Sequence, residues 1–376
     1  MPGFEIIDKE EKQAINKIFD EGGVLFAHGF ESLRKNFHVR NFEKKFCEKF
    51  KCKHSLAVSS GTASIKIALK AMNVKAGDEV ITQAFNFIAT VEAILDIGAK
   101  PIIANVDETL NIDVKDVINL ITPKTKVILP VHMLGVPADM NSIKKILKNK
   151  NIKILEDNCE AIGAKYEGKY LGTIGDAGAL SFDFGKIITT GEGGMVLTND
   201  KIIAKYSREY HDHGHENNPR LPRGKDTKTI YGFNYRMTEL QGALGKVQLK
   251  KLNHIIKKNK LRYNALRRSM GNQFSLRKIP KGSEIIYDTL IFYENDKKLR
   301  DIIVRYLKKE GFGTKNLPDA IKWHCTAFWD HALPQAQIKR TQKTKKILNK
   351  AIAIPIWLKK SIKDYIKLGS FLKKIK

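Results

Sequence analysis

Between residues 55 and 200 the chain repeats one unit: a short apolar run, a turn, then apolar residues at helical spacing. No other feature restricts the fold as much. Short apolar runs joined by helices pair into a mostly parallel sheet covered on both faces, with right-handed crossovers. Residues 56–58, 78–82, 101–106, 126–131 and 152–157 read as strands, and 87–95, 114–121 and 140–147 as intervening helices. Two more apolar runs, 178–182 and 195–198, flank a loop that carries Lys186 and the turn Gly191-Glu-Gly-Gly194. Ligands of such sheets bind beyond the C-terminal strand ends. Residues 60–62, Glu156-Asp157 and 181–186 all fall there, so they are expected to converge.

Lys186 is the sharpest of these. A lysine charge between two apolar runs is costly to bury, so the side chain should be neutralised, paired or covalently used. Ser60-Gly61-Thr62 reads as a cap that opens a helix with Ile65, Ala68, Leu69 and Met72 on one face. Free N–H groups at that positive helix end suit a phosphate, although most such turns are only caps. Asp157 ends an apolar strand. It either caps the next turn or holds the nitrogen of a heterocycle protonated. The glycines near Lys186 fit neither a Walker loop, since Ile187 stands at the hydroxyl position, nor a dinucleotide fingerprint, since 191–194 precedes a strand.

Phe42, Phe46 and Phe50 recur every four residues and mark the buried stripe of a helix. His211, His213 and His215 alternate, but no fourth metal ligand lies near, so no metal is expected and the loop at 211–224 reads as a substrate contact. Thr238 caps a long helix expected to run to about Lys260, and Asn234 and Arg236 just before it are natural anion contacts. The expected division is a large domain at 1–255 and a small α+β domain at 256–376. Composition matters mainly through charge. With 67 basic and 40 acidic residues the net charge is +27, and residues 339–376 hold much of the excess. Those lysines alternate with Ile and Leu without an aromatic stacking platform, so anionic small substrates are expected rather than nucleic acid. No apolar run is long enough for a membrane span, and the four cysteines lack paired spacing, so the cytoplasm is the expected compartment.

Taken together, Ser60-Gly-Thr-Ala, Glu156-Asp157, Ser181-Phe-x-x-x-Lys186, Gly191-Glu-Gly-Gly and Gly232-x-Asn-Tyr-Arg-Met resemble the DegT/DnrJ/EryC1/StrS sugar aminotransferases over roughly residues 4–370. The resemblance implies pyridoxal 5'-phosphate, the fold-type I architecture with a seven-stranded sheet, and a homodimer with shared active sites. It implies that Lys186 is the Schiff-base lysine, that Asp157 pairs with the pyridinium nitrogen, and that Phe87 stacks on the ring. Gly61, Thr62 and Ser181 would bind the phosphate, with Asn234 arriving from the partner subunit. Glu160 stands where many members have glutamine. Arg236, His213, His215 and His324 are the expected substrate contacts. The family's 3-dehydratases have histidine in place of this lysine, so Lys186 implies transamination, with L-glutamate as the expected donor. Residues 2–5, 181–183, 212–215 and Trp323-His324 are similar to the branch that makes 8-amino-3,8-dideoxyoctulosonate for lipopolysaccharide, which sets the expected keto-sugar. The alternative is a nucleotide-linked 4-keto-6-deoxyhexose giving a perosamine-type product, and a remoter one is a non-enzymatic regulator on the same fold.

Overall fold

The computed structural model describes residues 3–218 and 220–376; Pro2 of the opening match and Pro219 of the expected substrate loop lie outside them. Seven strands form the central sheet: β1 (His54–Val58), β2 (Glu79–Gln83), β3 (Lys100–Ala104), β4 (Thr125–Leu129), β5 (Lys153–Asp157), β6 (Ala177–Ser181) and β7 (Gly194–Thr198). Their order is β1-β7-β6-β5-β4-β2-β3, and only β7 runs against its neighbours. This is the expected α/β architecture with a mostly parallel seven-stranded sheet. Nearly every strand residue is buried, because helices cover both faces and leave no polar side to alternate with. The helix α3 (Gly61–Ala71) is itself buried on most sides, beyond the single face read from its spacing.

On one side of the sheet α2 (His38–Phe50) lays Phe42, Phe46 and Phe50 into the core, all essentially inaccessible, with Phe42 and Phe46 against Phe182. Phe46→Ala is expected to cost about 3–5 kcal/mol, the usual range for a large buried aromatic, measured as a lower denaturant midpoint. An unchanged midpoint would remove this stripe from the core.

The helix α8 (Glu239–Ser269) starts at a capping box made by Thr238 and Gln241. It continues nine residues past the expected end near Lys260. Nothing in 261–269 breaks a helix, and Leu266 is drawn into a separate apolar cluster with Met270, Phe292, Leu307 and Tyr365. Leu249, Leu252 and Ile255 belong to the cluster around Phe42 and Phe182. The helix thus feeds two cores, and we propose that the division between the domains runs along it. Around the second cluster lie a three-stranded antiparallel sheet (Ser275–Leu276, Thr289–Tyr293, Ala351–Pro355) and the helices Lys297–Lys309 and Ile362–Ile375.

A short N-terminal strap ties both regions to the Lys186 loop. The Gly3 N–H donates to the Lys186 carbonyl (3.3 Å). Phe4 stacks on Phe184 (4.6 Å) and meets Trp357 edge-on (6.2 Å), while the Glu5 carboxylate accepts from the Leu358 and Lys359 N–H groups. Among the described residues no helix is long and apolar enough to cross a membrane.

Candidate active site

The C-terminal ends of β1, β5 and β6 meet at one cavity of about 400 Å³. After β1, the Ser60 hydroxyl accepts from the Ala63 N–H (3.1 Å) and caps α3. The Gly61 and Thr62 N–H groups come too early in the helix to have an intrahelical acceptor, so they present the positive helix end to the cavity. Glycine is required at 61 because a Cβ there would sit 2.6 Å from the Ser181 Cβ. The helix start and the end of β6 therefore touch and form one rim.

Asp157 closes β5 and is 3% exposed. Its carboxylate accepts from the Thr90 hydroxyl (2.8 Å) and the Cys159 N–H (3.1 Å). The neighbouring Glu156 faces the other way. It accepts from the Gly172, Ile174 and Gly175 N–H groups and pairs with His132 (2.9 Å), so it holds a distant loop and takes no part in the cavity.

Lys186 stands in a turn set by Asp183, whose side chain accepts from the Gly185 N–H (2.9 Å) and whose carbonyl accepts from the Lys186 N–H (3.0 Å). Its Nζ lies 3.7 Å from Glu160 Oε1. Burial works against the ammonium, but Glu160, Cys159, Asp183 and Asp157 outweigh it and raise the lysine above its usual range. Burial likewise opposes the Glu160 carboxylate, yet Lys186, Lys315 and His324 pull it down to about 2. Lys186 is thus a paired cation, as its setting required. Glu160 also accepts from the Leu134 N–H (3.2 Å) and the Asn316 amide (3.5 Å).

Phe87, 46% exposed, lines the mouth with its ring 5.4 Å from that of His324. His324 donates through Nδ1 to the Ala320 carbonyl (2.9 Å), and burial holds its imidazole below the usual range despite Glu160. Lys186, Asp157, Gly61, Thr62, Phe87, Glu160, Ser181 and His324 therefore share the cavity.

Four expected residues do not. Arg236 donates to Asp212 (2.6 Å), and Arg223 grips the same buried carboxylate through two nitrogens (2.6 and 2.7 Å). Two guanidiniums on one carboxylate fix the 211–236 segment, and Arg236 lies outside the cavity of its own chain. His215 pairs with Asp226 (3.2 Å), and His213 is exposed in a left-handed turn. Asn234 is exposed beside the end of β1. Among the described residues no cluster suited to a metal ion occurs. Asp183, one of the octulosonate-branch matches, also lines the cavity, as do Thr90, Glu192 and Asn316, to which the sequence assigns no site role. Thr90 closes the segment that carries Phe87, but no periodicity marks it, and Asn316 arrives from the far end of the chain.

His211 is buried against His28, with the two Nε2 atoms 3.1 Å apart. Burial, then the facing imidazole, lowers His28 to about 2, and burial, then Arg208, lowers His211 to about 4. Both are neutral in the fold but take a proton near pH 6.5 when unfolded. Their contribution to stability is full above pH 6.5 and shrinks as the pH falls toward 4. A His28→Gln/His211→Asn double variant should lose less Tm than the parent between pH 7 and 5, and equal losses would show that the pair does not titrate this way.

The group implied by the resemblance, pyridoxal phosphate, fits these residues. A phosphate matches the free N–H groups at the Gly61–Ser181 rim, an aldehyde matches the Lys186 amine, and a ring nitrogen matches the buried Asp157 carboxylate.

Comparison with known proteins extends this. The profile of the DegT/DnrJ/EryC1/StrS aminotransferase family matches residues 6–368. The chain is 38% identical over 252 residues to GDP-perosamine synthase of Escherichia coli O157:H7 (67% of this chain, 66% of that protein). It is 40% identical over 215 residues to GDP-perosamine synthase of Caulobacter vibrioides (57% of each). The matched part thus spans less than two thirds of either relative. The crystal structure of an aminotransferase from Psychrobacter cryohalolentis superposes with a TM-score of 0.84 at 28% identity, covering 96% of both chains.

Proposed function

The chain belongs to the DegT/DnrJ/EryC1/StrS aminotransferase family, and from that premise we propose a pyridoxal-phosphate-dependent transaminase that moves an amino group from L-glutamate to a nucleotide-linked 4-keto-6-deoxyhexose. The observation that carries the reading is the single cavity in which Lys186, Asp157 and the α3 N-terminus meet. When bound, the cofactor supplies an electron sink for cleavage of a C–H bond beside nitrogen. The residues supply the rest. Gly61, Thr62 and Ser181 would anchor the phosphate, and Phe87 would pack against the ring. Asp157, fixed by Thr90 and Cys159, would hold a proton on the ring nitrogen. Lys186 Nζ would hold the aldehyde group, and its free amine would be the group that moves a proton at the reacting carbon. Glu160 steadies the lysine cation and holds it in the cavity.

For the keto-sugar, the matches that pointed to the octulosonate acid carry less weight in three dimensions. Asp212 is taken up by two arginines, and of 181–183, 212–215 and Trp323-His324 only Ser181, Asp183 and His324 line the cavity. Two relatives named GDP-perosamine synthase favour the nucleotide-linked alternative. Retention of both Lys186 and Asp157 speaks against a regulator without activity. The reading includes a second copy of the chain. Asn234 lies exposed beside Tyr231 and Phe233, which are 67% and 46% exposed, a surface suited to completing a neighbour's phosphate site. Four free thiols suit a reducing compartment, the cytoplasm.

The test is a comparison of kcat/KM for a GDP-linked 4-keto-6-deoxyhexose and an 8-keto-octulosonate, with glutamate as donor and 2-oxoglutarate as readout. The nucleotide sugar should be favoured by about 10²-fold or more, since buried polar groups left unpaired by the wrong substrate are heavily penalised. A preference for the octulosonate would overturn the substrate assignment and leave the transaminase reading intact.

A further inference from the structure

A second cavity, of about 490 Å³, lies at the opposite end of β1 from Lys186. Its walls are α2, the start of β1, the end of β7 and the helix α7 (Lys201–Tyr210). Four strand steps of about 3.3 Å separate His54 at its floor from Val58, which leads to the cofactor rim. The proposed transaminase chemistry makes no use of it.

Its lining is unusually one-signed. Arg40, Lys44, Lys53, Lys201, Lys205 and Arg208 converge on it, against one carboxylate, Glu43. Glu43 is buried and already engaged by the Ala57 N–H (2.8 Å) and Arg208 (3.5 Å). Arg40 and Lys205 reach acidic groups outside the cavity, whereas among the described residues Lys44, Lys53 and Lys201 have no ion-pair partner. The unneutralised field acts on the floor. Burial, then Arg208, Lys201 and Lys53, keeps the His54 imidazole below its ordinary range and neutral.

Two polar groups at the cavity have no partner in the protein: the Ser207 hydroxyl, on a residue 1% exposed, and His54 Nε2. A buried hydroxyl without a partner costs free energy, and native structures rarely leave one unless something else satisfies it. Cations from three elements, a concave wall that focuses their potential and two spare donors are the combination that recognises an oxyanion carrying more than one charge. We propose that this cavity is a second anion site, which takes a phosphate-bearing small molecule, inorganic or nucleotide, through Lys53, Lys201, Arg208, Ser207 and His54.

The experiment is isothermal titration of the full-length protein, loaded with pyridoxal phosphate and desalted, using inorganic pyrophosphate as probe at about 0.15 M salt, where exposed charges are largely screened beyond about 8 Å. One pyrophosphate per chain is expected. Lys53→Gln/Lys201→Gln should weaken it by about tenfold or more, the scale of two lost charge-assisted hydrogen bonds, with turnover in the absence of anion unchanged. Ser207→Ala should weaken it further, and Thr62→Val at the cofactor rim should not, which separates this site from the proposed cofactor cradle. GDP binding that the lysine double variant weakens upholds the site, and its strength relative to pyrophosphate shows whether a nucleoside is held as well, since GDP in the Lys186 cavity would not respond to that variant. No saturable binding, binding unchanged in the lysine double variant, binding lost only with Thr62→Val, or binding of a short RNA but not of pyrophosphate would overturn it.

Discussion

Lys186→Arg is expected to lower turnover by about 10⁶-fold, the scale seen when a covalent catalytic group is removed, while the protein keeps its fold. The two replacements open to this position separate catalysis from packing. Arginine keeps a cation facing Glu160 across 3.7 Å, but its guanidinium does not give up a proton in a protein and cannot condense with an aldehyde. Alanine removes both functions. It leaves a carboxylate, already pulled down to about 2, facing only Lys315 and His324 in a buried setting. Breaking one partner of a buried pair costs about 3–5 kcal/mol, so Lys186→Ala should melt at a lower temperature than Lys186→Arg although both are inactive. Borohydride trapping with peptide mapping closes the case. Label on Lys186 is expected in the parent, and label on another lysine, or an arginine variant with near-normal turnover, would end the assignment.

Asp157→Asn is the second large effect, expected at about 10⁴-fold in kcat/KM, comparable to neutralising the buried aspartate of a catalytic triad. The local geometry tolerates the change. An asparagine oxygen can still accept from the Cys159 N–H, and its amide can donate to the Thr90 hydroxyl, where the carboxylate now accepts at 2.8 Å. Only the charge is lost, so Tm should change little while catalysis collapses. Thr90→Val offers a graded companion: the carboxylate stays but loses a fixed partner, and a smaller loss of activity should follow. If Asp157→Asn retained a tenth of the parent's activity, the carboxylate would be a cap on its turn and no more.

Sequence periodicity carried the sheet because each strand here is buried on both faces and bounded by turn residues. It carried Phe42, Phe46 and Phe50 for the same reason. The cavity floor was legible where a residue type is rare in its setting, as with a lysine between apolar runs or an aspartate ending one. Asn316 was not, since its contact with Glu160 spans 156 residues of chain and depends on how two cores meet. Nor could spacing reveal that Arg236 shares Asp212 with Arg223, because a guanidinium facing a ligand and one facing a carboxylate look alike in sequence. The end of α8 was misplaced because the helix runs on past the composition change at Lys260 to bury Leu266 in another cluster.

The strap at Gly3–Glu5 is a tether between two cores. Glu5 grips the backbone at Leu358 and Lys359, and two residues earlier Gly3 holds the carbonyl of the reactive lysine itself. Phe4, clasped between Phe184 and Trp357, is the pivot. Three consecutive residues thus bind the C-terminal core to the loop of Lys186 without any chain of side chains through the interior. The backbone of Lys186 is held partly by a segment that never enters the cavity.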